Sequence, residues 1–217
     1  MKKKVAVVSL GDCRLEFYNT RKYIADEENE RLVKKLKEFY DVFCSDTVFN
    51  IDEGLACADE IKKQMISAVI IHIPIWVTPN LALRIANSTP YPVILFGNTR
   101  KDSSSTVAML AVAGLLDQTG KKCKRIIGDI HDPSVLSEVK NVIEAISVVE
   151  GLKRSSYGMI GGRSIGIGTT VADPNQWQRQ FGVEFDHCDQ YEIVYRANEQ
   201  VEERVKKHLK WVKEHFT

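Results

Sequence analysis

Residues 68–75 read AVIIHIPI, an almost unbroken apolar run interrupted only by His72 and Pro74. A strand with one wet face alternates apolar and polar residues. A strand covered on both faces has no reason to alternate, and parallel sheets sandwiched between helices are built from such strands. PVILF at residues 92–96 has the same texture, and so does the opening run VAVVSL at residues 5–10.

Working outward gives five strand candidates: Val5–Leu10, Asp41–Ser45, Ala68–Ile75, Val93–Gly97 and Lys124–Gly128. A helical stretch follows each, roughly Thr20–Phe39, Ile51–Met65, Pro79–Ala86, Ser104–Gln118 and Pro133–Gly151. Local signals agree. Asp132 or Ser134 can cap the fifth helix with Pro133 in its first turn, and Gly120 stands where a terminator belongs. Repeated strand-then-helix units predict an α/β fold, a doubly wound parallel sheet in a three-layer α/β/α sandwich. Right-handed crossovers then bring the loops after each strand to one edge, where ligands of such folds collect.

This first domain is expected over residues 1–152. The polar connector GLKRSS, residues 151–156, leads into residues 153–217, which read as the first part of a second α/β domain. Its expected parts are a strand at Tyr157–Ile160, a glycine loop, a short helix at Asn175–Gln180 and a strand at Val183–His187. A last amphipathic helix carries Val201, Val205, Leu209, Val212 and Phe216. Two strands and two helices bury little. This second part is therefore expected to pack on the first or to be cut short at Thr217.

Of 217 residues, 44% are apolar and 27% charged, with a net charge of +1. That is a globular composition without the field that favours nucleic acid or an acidic membrane. Lys2–Lys4 precede an apolar run too short for an export signal, and Asp12, Arg14 and Glu16 follow it. No stretch approaches membrane-span length. Cys13, Cys44, Cys57, Cys123 and Cys188 are odd in number and scattered, so free thiols in a cytoplasmic protein are expected, with no metal site built from them.

Candidate chemistry gathers on the ligand edge. The loop after the first strand, GDCRLEFYNTRKY at residues 11–23, offers Arg14 and Arg21 to an anion or to sugar hydroxyls, with Glu16 as a partner; a solvated loop of charges is the other reading. Trp76 ends the third strand, where an indole face suits the C–H face of a sugar and where plain core packing suits it equally. Asn98, Thr99 and Arg100 follow the fourth strand, and His131 follows the fifth. His72 lies mid-strand and reads as a satisfied buried histidine. Several polar loops and a tryptophan converging on one edge point to a small polar ligand. GGRSIGIG, residues 161–168, follows a strand but lacks both the dinucleotide spacing and a Walker lysine, so it reads as a bare turn or a small-ligand loop. In DHCDQYEIV, residues 186–194, Asp189 and Glu192 have capping-box spacing, which outweighs a metal site. No catalytic and no metal-ligating residue is assigned.

These segments together resemble a family. The stretch SYGMIGGRSIGIGTTVADPNQWQRQFGVEFDHCDQYEIV, residues 156–194, is similar to the start of the second domain of L-fucose isomerase and its fucose/arabinose isomerase relatives. There a Gly-Gly-x-Ser-Met-Gly-Ile loop follows a strand; Ile165 stands here at the methionine position. IPIW around Trp76 resembles a Pro-x-Trp element of the family's first domain. The stretch from Phe96 to Asp132 also resembles the family pattern, with Ile130 inserted before His131.

The resemblance implies a flavodoxin-like first domain and an aldose–ketose isomerase active on L-fucose, L-arabinose or a related monosaccharide. It implies a divalent metal such as Mn2+, held by Glu, Asp and His ligands in later parts of longer family members, so that no cofactor is bound by this chain. It implies a homo-oligomer in which the first domain reaches a neighbouring subunit's active site. By the same resemblance Trp76 and Arg14 contact sugar, and Gly162 and Ile165 line the pocket floor; Asn98 joins them from the ligand-edge reading. The alternatives are a stand-alone sugar-binding or regulatory module of the same fold and, more weakly, a nucleotide- or flavin-binding protein.

Overall fold

The computed structural model describes residues 2–162, 166–168 and 173–216. They fall into two compact units, Met1–Val148 and Val149–Thr217.

The first unit alternates β1 (Lys4–Ser9), α1 (Leu15–Lys37), β2 (Asp41–Cys44), α2 (Ile51–Lys62), β3 (Ala68–Ile73), α3 (Pro79–Ser88), β4 (Val93–Gly97), α4 (Ser105–Gln118), β5 (Cys123–Ile127) and α5 (Pro133–Leu152), whose last turn enters the second unit. The five strands form one parallel sheet in the order β2-β1-β3-β4-β5, the flavodoxin-like arrangement expected. Every residue of β3 is buried, as the unbroken AVIIHI run requires. The edge strands β2 and β5 carry polar residues and stay partly exposed, because each has a neighbour on one side only.

Helices cover both faces. On one side Ala6, Val8, Val69, Ile71 and Leu95 meet Ile61, Leu81, Ile85, Met109 and Val112 from α2, α3 and α4. On the other Val5, Val7, Ile70, Ile94 and Phe96 meet Leu32 and Leu36 of α1 and Val139 and Ile143 of α5. His72 lies on this second side, its ring 5.9 Å from that of Phe96. It is fully buried, but neither ring nitrogen has a hydrogen-bond partner, so it is not the satisfied histidine the sequence suggested. Burial pushes its pKa down to about 3 and keeps it neutral.

Two boundaries differ from expectation for local reasons. Helix α1 starts at Leu15 rather than Thr20, because Asp12 Oδ1 accepts the Arg14 N–H at 3.0 Å and turns the chain straight from β1 into the helix. Strand β3 stops at Ile73, and the next carbonyl, that of Pro74, is taken by the Asn98 side chain.

In the second unit β6 (Ser156–Ile160) and β7 (Glu184–Cys188) pair in parallel. Three helices accompany them: α6 (Pro174–Phe181), α7 (Gln190–Asn198) and α8 (Glu202–His215). The expected final helix is thus two, broken at Val201, whose extended backbone precedes the acidic first turn of α8. Asp173 caps α6 through the amides of Asn175 and Gln176, and Gly182 ends it with φ at 71°. None of the three helices buries a residue.

Candidate functional site

The carboxyl ends of β1, β3 and β4 carry loops tied to one another. After β1, Gly11 approaches Phe49 so closely that a Cβ would lie 2.4 Å from its ring. The chain then presents Asp12 and Arg14 as a fork. Asp12 Oδ1 accepts from Arg14 Nε at 3.0 Å and Oδ2 accepts from Nη2 at 2.7 Å, a bidentate pair. The Asp12 side chain is 4% exposed and that of Arg14 is 55% exposed. A buried carboxylate therefore anchors a guanidinium that still faces solvent. Burial works to raise the Asp12 pKa, but the hydrogen bonds and charge of Arg14 outweigh it and hold the carboxyl below its usual range. The Arg14 guanidinium also lies 4.7 Å from the centre of the exposed Phe17 ring.

Cys13 Sγ lies 3.3 Å from Thr78 Oγ1, which joins the β1 loop to the β3 loop. Trp76 sits in that β3 loop, half-buried, and packs against the α2–α4 side of the core. Asn98 is buried and joins β4 to β3. Its Nδ2 donates to Pro74 O at 2.8 Å, and its Oδ1 accepts from Arg100 N and Ser103 Oγ. The structure thus gives Asn98 the task of holding two loops together. Ser104, which follows Ser103 and precedes α4, has the left-handed φ of 57°. Arg100 bonds Asp102 and Glu27, and both hydrogen bonds hold its pKa above the ordinary value.

Arg14, Trp76 and Asn98 therefore come from three loops cross-linked on the ligand edge, as the topology predicted. The partner of Arg14 is Asp12, which the sequence reading passed over in favour of Glu16. A signal was available: an aspartate straight after a strand-ending glycine, two residues before an arginine, has Asx-turn spacing. His131 is exposed, and its amide donates to Asp129 Oδ1.

Gly162 belongs to the second unit. It is exposed, with open space where a Cβ would stand. Its neighbour Gly161 has φ at 81°, donates its N–H to Cys188 O at 2.9 Å and accepts from His187 Nε2 at 2.7 Å. Ile165 lies outside the described residues. Asp189 caps α7 by accepting the Tyr191 amide at 2.7 Å. Glu192 does not reach back as a capping box would; it pairs with Arg196 instead. Among the described residues no three His, Cys, Asp or Glu side chains stand together as metal ligands would. No helix among them is long and apolar enough to cross a membrane.

Residues 2–150 match the family model of the first N-terminal domain of L-fucose isomerase, and residues 155–217 match that of the second N-terminal domain. The chain belongs to the L-fucose isomerase family. It is 26% identical over 184 residues to an L-fucose isomerase of Vibrio vulnificus, covering 80% of this chain and 31% of that protein. It is 25% identical to L-fucose isomerases of Haemophilus influenzae and Streptococcus pneumoniae, with the same two coverages. The chain spans about a third of the length of the curated relatives it matches. The two matches leave residues 151–154, at the end of α5 and just beyond it, between them.

Proposed function

We propose that this chain is the N-terminal portion of an aldose–ketose isomerase acting on L-fucose, L-arabinose or a related sugar. It contributes pocket walls and subunit contacts in a cytoplasmic homo-oligomer. The observation that carries this reading is the match to both N-terminal domains of one sugar isomerase family, in a chain whose ligand edge presents an anchored, solvent-facing guanidinium.

Moving a hydrogen between C1 and C2 of an open-chain sugar needs an acid, a base and a Lewis acid on the two oxygens. A divalent cation such as Mn2+ suits the last task. The described residues of this chain do not fit it, since no set of three ligands converges, and no step is derived through it. What the chain supplies is binding. Trp76 offers an indole face to the C–H face of the sugar and keeps water from it. Arg14, fixed by Asp12, donates to sugar oxygens at a preset angle. Asn98 keeps the two loops in register. In the second unit, Gly162 allows close approach of the backbone to a ligand.

A second reading, a stand-alone sugar-binding or regulatory module, is favoured by the closed core of the first unit. One experiment separates them. The purified 217-residue chain is assayed with manganese and L-fucose or L-arabinose, and its sugar binding is measured. No turnover and weak binding are expected, with turnover restored in a longer polypeptide that carries a metal centre. Robust turnover by the 217 residues alone would refute the proposal. Tight binding abolished by Trp76→Ala would favour the module.

A further inference from the structure

Helix α4 is apolar on every side. From Ser103 to Leu116 the chain carries no charged residue. The inner side of the helix, with Ala108, Met109, Val112, Ala113 and Leu116, fills the core. Its outer side presents Val107 at 60% and Leu110 at 59% exposure, with Ala111 and Gly114 half-buried beside them. These four residues have the i, i+3, i+4, i+7 spacing that gathers side chains on one face. The outer faces of α1 and α2 carry ion pairs instead: Lys22–Asp26, Asp59–Lys62 and Glu60–Lys63. A helix that is apolar all round belongs inside a protein, yet the outer side of this one is open to water.

The outer stripe has bulk at one end and a hollow at the other. A Cβ at Gly114 would meet nothing within 4 Å, so the helix backbone lies bare there. Val107 stands two turns earlier, and the two residues are equally far from the midpoint between Leu110 and Ala111. A two-fold axis through that midpoint lays a second α4 antiparallel on the first. Val107 then covers Gly114 of the partner subunit, and Leu110 meets Leu110 of the partner subunit. Charge favours the same arrangement. Lys101, just before α4, is exposed and has no ion pair among the described residues. The antiparallel pair brings it to the carbonyl end of the opposing helix, where the dipole is negative and Asp117 lies. A parallel pair would set Lys101 against Lys101 of the partner subunit and leave a void where two bare Gly114 backbones face each other.

We propose that the outer face of α4 docks on itself, pairing two copies of this chain antiparallel about an axis between Leu110 and Ala111. The proposal rests on the homo-oligomer of the proposed function and assigns it a face. A helix of 14 residues rises about 21 Å. One pair of such helices buries less than the roughly 1,200 Å² at which stable interfaces begin. The contact is therefore weak in this chain by itself, with a dissociation constant on the order of 0.1 mM.

Sedimentation equilibrium of the purified 217-residue chain, from about 5 µM to about 1 mM, should show monomer passing into dimer. Leu110→Glu sets two carboxylates together at the axis, and Gly114→Leu fills the hollow. Each should weaken association at least about tenfold. Both positions lie on the outer side of α4, and circular dichroism checks that the fold is kept. The register has its own readout. Val107→Cys mixed with Gly114→Cys should cross-link under oxidised glutathione faster than either variant alone, with the parent chain as the control for its native thiols. The proposal is overturned if the chain stays monomeric throughout, if either Leu110→Glu or Gly114→Leu associates as tightly as the parent, or if the two cysteine variants cross-link faster alone than mixed. Association that these variants leave intact would belong to another surface, and a monomer would mean that a different polypeptide covers the stripe. Neither result touches the isomerase reading, which is tested by turnover in a longer polypeptide.

Discussion

The two units are written in the same grammar, a strand and then a helix with strands paired in parallel, yet they hold together by different means. In the first, every residue of β3 is buried and apolar side chains fill both sides of the sheet. In the second, β6 shows only Met159 even partly buried, and Val183 is the sole buried apolar side chain among the described residues there. Its cohesion is local. Tyr157 meets Trp177 and Phe185 with ring centres 4.8 and 5.6 Å apart. Asp173 and Gly182 cap α6, and Glu192–Arg196 and Glu202–Lys206 pair along α7 and α8. Such exposed pairs are screened by water and add little. A parallel pair cannot shield both its faces, and a five-stranded sheet with helices on each side can.

The sharpest way to break this contrast is to cut a hole in the first unit. Ile71, fully buried in the central strand, packs against the α2–α4 side. Ile71→Ala should lower stability by about 3–4 kcal/mol, from lost transfer energy and the cavity left behind. Urea unfolding followed by circular dichroism reads it. A loss below about 1 kcal/mol would mean that the first core is as loose as the second.

Acid tests the same unit through His72. Its pKa falls from an ordinary 6.5 to about 3 on folding. Between those values the unfolded chain binds a proton that the folded chain refuses. The stabilising contribution is therefore complete above pH 6.5 and is lost as pH falls toward 3, at about 1.4 kcal/mol per pH unit. His72→Leu should flatten the dependence between pH 6 and 4 in urea melts, because the other histidines are common to both proteins. An unchanged slope would show that His72 is hydrated or bonded in solution.

How much of this was legible follows from what each signal depends on. The order of the first ten elements is written in unbroken apolar runs and in turn residues, which act locally, so the sheet and its ligand edge could be read directly. The place of Trp76 and Asn98 on that edge came with the topology. Their duties did not. Asn98 reads as a free amide in a polar loop, but it closes on Pro74 O, a partner far away in sequence. Arg14 reads as a loop charge paired with Glu16, but the turn made by Asp12 carries it onto the start of α1. Glu28 and Arg31 carry no signal of their own in the sequence, being two charges within a long helical stretch. Only the packing of α1 over the sheet buries one of them beside Arg100, which follows a strand much later in the chain.

A smaller effect belongs to the second unit. Asp173→Ala removes the side chain that accepts from the Asn175 and Gln176 amides, two donors at the start of α6 with no other partner in the helix. About 1 kcal/mol of α6 stability should go with it. Amide exchange should then quicken in α6 and stay unchanged in β1 and β3. Matched quickening in both units would mean that they open together, and the contrast between them would fail.

The smallest change is expected where the sequence looks most hydrophobic. Leu209 belongs to the apolar stripe of α8, yet it is 51% exposed, and Val205 and Val212 on the same stripe are similarly uncovered. Burial energy scales with area removed from water, so a half-exposed leucine with uncovered neighbours has little to lose. Leu209→Ala should cost less than about 0.5 kcal/mol, since alanine's better helix propensity offsets part of the lost area. The same unfolding experiment compares it with Ile71→Ala, an aliphatic truncation of the same size. A loss for Leu209→Ala near that of Ile71→Ala would show that the stripe is covered in solution, and the second unit would then have a core of its own making.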